Sequence, residues 1–370
     1  MMSDTPLLEV DDVEVEFGDS GLIRNLLGRG DDPVRAVDGV SFELETNDVL
    51  TLVGESGCGK TTLGKAAVGL QQPTDGTVRY RGQDIWGRND SHGDLSQREI
   101  RHALQIIHQD PGSSLHPNKT VRTALATPLK QRHAHLDSGQ REAATYDMLE
   151  RIGLKPAGAY ADRYPHQLSG GEKQRVALAR ALLMSPDVIF ADEAVSALDV
   201  SLRVEMMDLM YELQDIVDTS FVFISHDMAN ARYFTKKIGG RISIMYLGEI
   251  VEIGPADTVI NDPEHPYTRA LQWATPALDP RKADSNSDNL PLRTIDIPDP
   301  SDPPSGCRFH TRCPEAREVC RHRHPPSLQS DDRKVSCFRS DDGHEYWDSP
   351  ELDEVTADTG RVSHAPHSND

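Results

Sequence analysis

Eight consecutive residues, Gly54, Glu55, Ser56, Gly57, Cys58, Gly59, Lys60 and Thr61, fit the spacing G-x-x-x-x-G-K-[ST]. In that pattern glycines let backbone N–H groups turn inward around a phosphate. An apolar run at 50–53 precedes the loop and a helix-like stretch at 61–70, which includes Thr62, follows it. The helix N-terminus adds a favourable dipole, Lys60 neutralises phosphate oxygens and the Thr61 hydroxyl suits Mg²⁺. Cys58 stands at a variable position and is expected to pack there, not to react. A second chemical group lies where the apolar run 188–191 ends in Asp192 and Glu193. Two acids ending a buried strand need a cation or water to justify them. Asp192 would hold Mg²⁺ through its water shell, and Glu193 would polarise an attacking water. Leu168, Ser169, Gly170, Gly171 and Glu172 precede another helical stretch, so the Ser hydroxyl and Gly amides make either a helix cap or an anion site.

Cys307, Cys313, Cys320 and Cys337 crowd a short, Pro-rich, poorly hydrophobic segment that has little core of its own. Disulfides are disfavoured in a reducing compartment, which leaves thiolate ligation of an iron–sulfur cluster or structural zinc, or free cysteines packed as small apolar residues. The paired C-x2-C knuckles of zinc sites are absent, and the wider spacing favours a 4Fe–4S cluster, with zinc as the alternative. His322 and His324 lie nearby, but the run Arg321, His322, Arg323, His324 reads as a solvated basic stretch.

The elements that must position these groups alternate. Short β-rich runs at 50–53, 104–107, 188–190 and 221–224 are separated by helix-like segments, as buried parallel strands are. The expected fold class is α/β. Between 109 and 185 the pattern turns mostly helical, with amphipathic stretches at 141–152 and 172–183, so a helical subdomain at about 112–185 is expected to interrupt the sheet. A strand at 249–253 and a helix at 267–275 complete a domain at 6–275. Pro, Asp and Ser then crowd a linker at 276–305. A Cys-rich module at 306–338 follows, and a polar, acidic tail at 339–370 is expected to be disordered. No internal repeat is visible, so the chain carries one such unit.

The 370 residues hold 39 Lys and Arg against 60 Asp and Glu, a net charge of −21. Such a surface repels nucleic acid and anionic lipid, so no nucleic-acid partner is expected. Charge of that size is better tolerated in concentrated salt, and a salt-loving source is a hypothesis beside the plainer one of an ordinary acidic protein. No run approaches the roughly 20 apolar residues that cross a bilayer, and Met1, Met2, Ser3 and Asp4 lack the features of a signal peptide. A cytosolic location is expected.

Residues 54–61 with Gln109, 168–172, Asp192 and Glu193, 196–199 and His226 together resemble the motif set of the ABC transporter ATPases. The segments 35–40, 53–60, 195–200, 245–249 and 265–271 are similar more narrowly to the ATPases of dipeptide and oligopeptide importers, and that similarity spans about 7–338. The resemblance implies a P-loop NTPase, RecA-like core with antiparallel β and helical subdomains, and a head-to-tail dimer that sandwiches two ATP molecules. On it, Gln109 contacts Mg²⁺ and the water, while Ser169, Gly170 and Gly171 bind the γ-phosphate held by the partner. Asp199 links the two sites, His226 holds the γ-phosphate, and Phe17 either stacks on adenine or is a plain core residue. Ala194 stands where this family usually has Pro, which would loosen the turn behind Glu193. The pattern at 306–314 also matches the tail of these ATPases, some of which carry a 4Fe–4S cluster.

The implied function is ATP hydrolysis that powers peptide uptake through two membrane permeases at the cytoplasmic face of the membrane. A second ATPase, self or paralogue, and indirectly a solute-binding protein would be partners. Nickel or sugar is an alternative cargo, and a soluble ABC ATPase without a transport role is the more distant reading.

Overall fold

A computed structural model describes residues 5–18, 33–87, 95–275 and 292–352. Leu8–Phe17 (β1) and Val34–Leu44 (β2) largely alternate buried and exposed positions, the pattern of a sheet with one covered face. With Asp75–Tyr80 (β4) and Gln83–Asp84 (β5) they form an antiparallel sheet in the order β2-β1-β4-β5.

Val49–Val53 (β3), Val188–Asp192 (β7) and Ser220–Ser225 (β8) are buried at every position. Strands covered on both faces read as continuous apolar runs and pair in parallel, which is why the sequence shows them plainly. They join Leu104–Ile107 (β6), Arg241–Tyr246 (β9), Glu249–Pro255 (β10), Leu328–Ser330 (β11) and Arg333–Val335 (β12). The order is β11-β12-β10-β9-β3-β8-β7-β6, parallel from β9 to β6 and antiparallel from β9 to β11.

Three apolar clusters hold these layers. One packs Ile189, Phe221 and Phe223 beneath the helices Val121–Arg132, Ser138–Arg151, Gly170–Leu182 and Val200–Val217. A second fills the space between the two sheets with Leu8, Val40, Leu52 and Phe190, together with Leu63 of the helix Lys60–Ala67. The third joins Val53, Ile244 and Tyr246 to Tyr267, Phe309 and Cys313. The Cys-rich segment is therefore built onto the main sheet, both through β12 on β10 and through a shared core.

The described fold also continues past 338, which corrects the expected disorder of 339–352. Phe338 and Tyr346 are buried, Glu345–Asp348 forms a 3-10 turn, and Glu351 bridges to Arg317. Two aromatic anchors suffice to order a stretch whose average composition is acidic. Residues 276–291 of the expected linker and the tail from 353 lie outside the described residues.

Candidate nucleotide site

Val53 pairs with Ser225, and Asp192 with Ile224. That register makes the loop 54–61, the acids Asp192 and Glu193, and His226 leave the sheet side by side at its carboxyl edge, where open α/β sheets bind ligands. Gly54 and Gly59 shape the loop: a Cβ at Gly54 would stand 2.1 Å from the Met245 carbonyl oxygen, and one at Gly59 1.9 Å from that of Ala36. Gly59, at φ 107°, then starts the helix Lys60–Ala67. Lys60 is 4% exposed, and its Nζ donates to the carbonyls of Gly54 at 2.8 Å and Glu55 at 2.9 Å. Ser56 and Gly57 are exposed at the loop's crest. Cys58 is buried, and burial pushes its thiol up, so it is an unreactive packed residue as its variable position implied.

Thr61 Oγ1 donates to Asp192 Oδ1 at 2.9 Å, with Thr62 one residue further along the helix. Burial pushes the Asp192 carboxyl up against the pull of that hydrogen bond, and the Glu193 charge adds to the rise. A buried carboxyl beside a hydroxyl is a hard-oxygen pair that a divalent cation stabilises. It suits Mg²⁺, which takes one or two protein oxygens and fills its octahedron with water and phosphate. Glu193 Oε2 lies 3.2 Å from His226 Nδ1. Its backbone holds φ at 48°, in the left-handed region, fixed by its N–H on the Ile224 carbonyl and by Ser196, whose N–H and hydroxyl both donate to the Glu193 carbonyl. The turn is thus held from both sides with Ala194 in it.

Ser169 caps the helix Gly170–Leu182, accepting the Glu172 N–H while the Glu172 carboxylate accepts the Ser169 N–H. Asp199 likewise caps Val200–Val217 through the Leu202 N–H. Ser169, Gly170 and Asp199 are exposed, whereas Gly171 is buried against Leu202. Among the described residues no hydrogen bond joins Ser169 or Asp199 to Lys60, Asp192 or Glu193. Gln109 lies exposed two residues beyond β6, and Phe17 ends β1 with 45% of its surface exposed.

Glu55 departs from the expected phosphate contact. Its backbone N–H donates to the Tyr267 hydroxyl at 2.9 Å, and its carboxylate accepts both Arg312 Nη atoms at 2.7 and 2.9 Å. Neither Tyr267 nor Arg312 stands out by residue type. The signal was membership of the resembling segments: Tyr267 lies within 265–271, and Arg312 is the arginine of the 306–314 pattern, but neither segment showed the contact with Glu55.

Cys307, Cys313, Cys320 and Cys337 line one buried cavity together with His265, Phe309 and Tyr346. All four are free thiols. Burial pushes each one up, Cys313 to about 12 and Cys337 to about 11, and neighbouring cysteines raise Cys307 further. Among the described residues no three or more His, Cys, Asp or Glu are arranged to hold a single metal ion. His322 is exposed beside Glu318, and His324 pairs with Glu249, so neither joins the cysteines. No described helix is long and apolar enough to cross a membrane.

The family described as "ABC transporter" matches residues 37–196, and "Oligopeptide/dipeptide transporter, C-terminal region" matches 251–320. The di/tripeptide transport ATP-binding protein DppF of Pseudomonas aeruginosa is 41% identical over 85% of this chain and 93% of its own length. The oligopeptide transport ATP-binding protein OppF of Salmonella typhimurium is 39% identical over 90% of this chain and 96% of its own. Among solved structures, the fold resembles the dimeric ATP-binding cassette MJ0796 bound to ADP and Pi, with a TM-score of 0.55, 24% identity and coverage of 67% of this chain and 98% of that one. With the phosphate loop, the acid pair and His226 gathered at one sheet edge, the chain belongs to the ABC transporter ATP-binding proteins, in the oligopeptide/dipeptide transporter family.

Proposed function

We propose that the chain binds and hydrolyses ATP to drive uptake of di- and oligopeptides through two membrane permeases, as a peripheral subunit on the cytoplasmic face. The observation that carries the chemistry is the contact of Glu193 with His226 beside the Thr61–Asp192 pair. Lys60 and the loop amides would hold the β- and γ-phosphates, and Thr61 and Asp192, with Gln109, would hold Mg²⁺. The ion supplies charge neutralisation on the phosphates. Glu193 would orient and polarise the attacking water, an action worth roughly 10²–10⁴-fold, while His226 fixes the carboxylate and reaches the γ-phosphate.

The exposed Ser169–Gly170 helix start is the second half of a site: its amides would meet the γ-phosphate on a partner ATPase, self or paralogue, with Asp199 linking the two sites. For the permeases, a groove of about 930 Å³ is lined by Gln97, Arg101, His102, Gln105, His108 and Arg180. A cytoplasmic permease segment carrying carboxylates fits that lining. Glu193→Gln tests the assignment: it should bind ATP, accumulate as a dimer on size exclusion and lose turnover by about 10²-fold or more. Undiminished hydrolysis overturns the role given to Glu193.

The cysteine cavity is read as a 4Fe–4S site, with zinc as the alternative. Four thiols whose burial favours the neutral form become thiolates more readily with a cation to compensate them. What supports the reading is that all four cysteines line one small cavity. Anaerobic purification followed by iron, sulfide and zinc analysis is expected to return about four irons and four sulfides per chain. Metal-free folded protein refutes both readings.

A further inference from the structure

The carboxylate of Glu55 projects from the second position of a loop whose work is to hold a polyphosphate. An unpaired charge there opposes the negative ligand, and a half-buried acid stripped of its partner has little water to replace the contact. Arg312 meets it with both Nη atoms, at 2.7 and 2.9 Å, and the Arg312 side chain is only 4% exposed. The guanidinium is not free to swing. It stands 5.7 Å from the Tyr246 ring centroid and 5.8 Å from that of Phe309, and the turn that carries it is closed by the N–H groups of Arg312 and Cys313 on the Phe309 carbonyl. From the other side Tyr267 fixes the Glu55 N–H, and the Glu55 carbonyl is one of the two that hold Lys60 Nζ.

We propose that Arg312 is a positioning residue for nucleotide binding: from the C-terminal module it keeps the Glu55 carboxylate turned away from the phosphates and cancels its charge. Three links join Arg312 to the ligand: guanidinium to carboxylate, carboxylate to loop backbone, and loop carbonyl to the phosphate-binding lysine. The competing account is that the pair only anchors the C-terminal module to the sheet. That account predicts lost stability without a specific change in ATP affinity, and a benefit from removing the Glu55 charge that is confined to stability.

The test uses the full-length chain, with ATP affinity read by equilibrium binding and turnover read at saturating ATP. Arg312→Met is expected to weaken ATP binding by about tenfold or more. Turnover at saturation should stay within about threefold, the signature of lost uniform binding. Adding Glu55→Gln should restore most of the affinity, because it removes the charge that Arg312→Met leaves bare. An unchanged affinity overturns the proposal, as does a loss that Glu55→Gln fails to relieve. If Arg312→Met does not accumulate as folded protein, Arg312→Gln keeps a single polar amide donor without the charge and must show the same loss and the same rescue.

Discussion

Glu193 keeps a backbone conformation that costs an ordinary residue about 1–3 kcal/mol. The cost is met locally, by the bonds to Ile224 and Ser196 on either side, and its result is a carboxylate pointed at His226 from the end of a buried strand. Phe17 is the opposite case, a side chain whose surroundings do not account for it. A core phenylalanine would be covered, whereas this one ends β1 with 45% of its surface exposed. That excludes a fully covered core position, and we propose that Phe17 is a stacking platform for the base. Base–aromatic stacking is worth about 1–3 kcal/mol, so Phe17→Ala should weaken ATP binding by roughly 5- to 150-fold. Because the ring is not buried, the thermal midpoint should stay close to the parent, and Phe17→Tyr should keep the affinity. A fall in melting temperature with unchanged affinity would return Phe17 to a packing role. The chemistry-bearing residues were legible in the sequence because phosphate and Mg²⁺ demand particular types at short spacing. Arg312 was not, because its partner lies 257 positions away in the chain.

At the scale of elements, the buried parallel strands were legible for a physical reason: β3, β7 and β8 are covered on both faces and are therefore mostly apolar. The strands β11 and β12 carry Leu328, Gln329, Ser330 and Arg333, Lys334, Val335, which show no apolar run. β12 is held on β10 by Arg333, which reaches a fully buried Glu252, and no local pattern announces that contact. The junction of the C-terminal segment with β10 is also sensitive to pH. His324 Nε2 lies 2.9 Å from Glu249 Oε2, and this hydrogen bond raises the imidazole above its ordinary value near 6.5, against some loss of hydration. A group raised on folding contributes stability that is complete below the unfolded value and is lost as pH climbs through the folded one. The other charges around it are Arg308, which also binds Glu249, and Asp38. His324→Gln should therefore melt below the parent at about pH 6, and the gap should be narrower at about pH 8.5. Thermal unfolding at the two pH values checks this, and a gap that stays constant assigns His324 to packing alone.

The whole molecule carries −21 at neutral pH with a pI near 5.1, and its ion pairs fall into two populations. Arg312 with Glu55, Arg308 with Glu249 and Arg333 with Glu252 are nearly covered, with arginine side chains 4%, 10% and 6% exposed. Pairs such as Arg122 with Glu142 and Arg151 with Asp147 are open to water and contribute about 0–1 kcal/mol each at most. Salt acts on these populations unequally. Raising KCl from 0.1 to 1 M shortens the screening length from about 10 to about 3 Å, which quenches repulsion among the excess acids and also the weak surface pairs, and leaves the covered pairs largely intact. The covered pairs tie the C-terminal segment to the phosphate loop and to β10, so the architecture that shapes the site survives while the force opposing compaction is removed. Both the unfolding midpoint and ATP turnover are therefore expected to rise with KCl over this range. A turnover optimum at low salt, with a midpoint that falls as KCl is added, would show that the surface pairs outweigh the repulsion and that the acidity is no adaptation to salt.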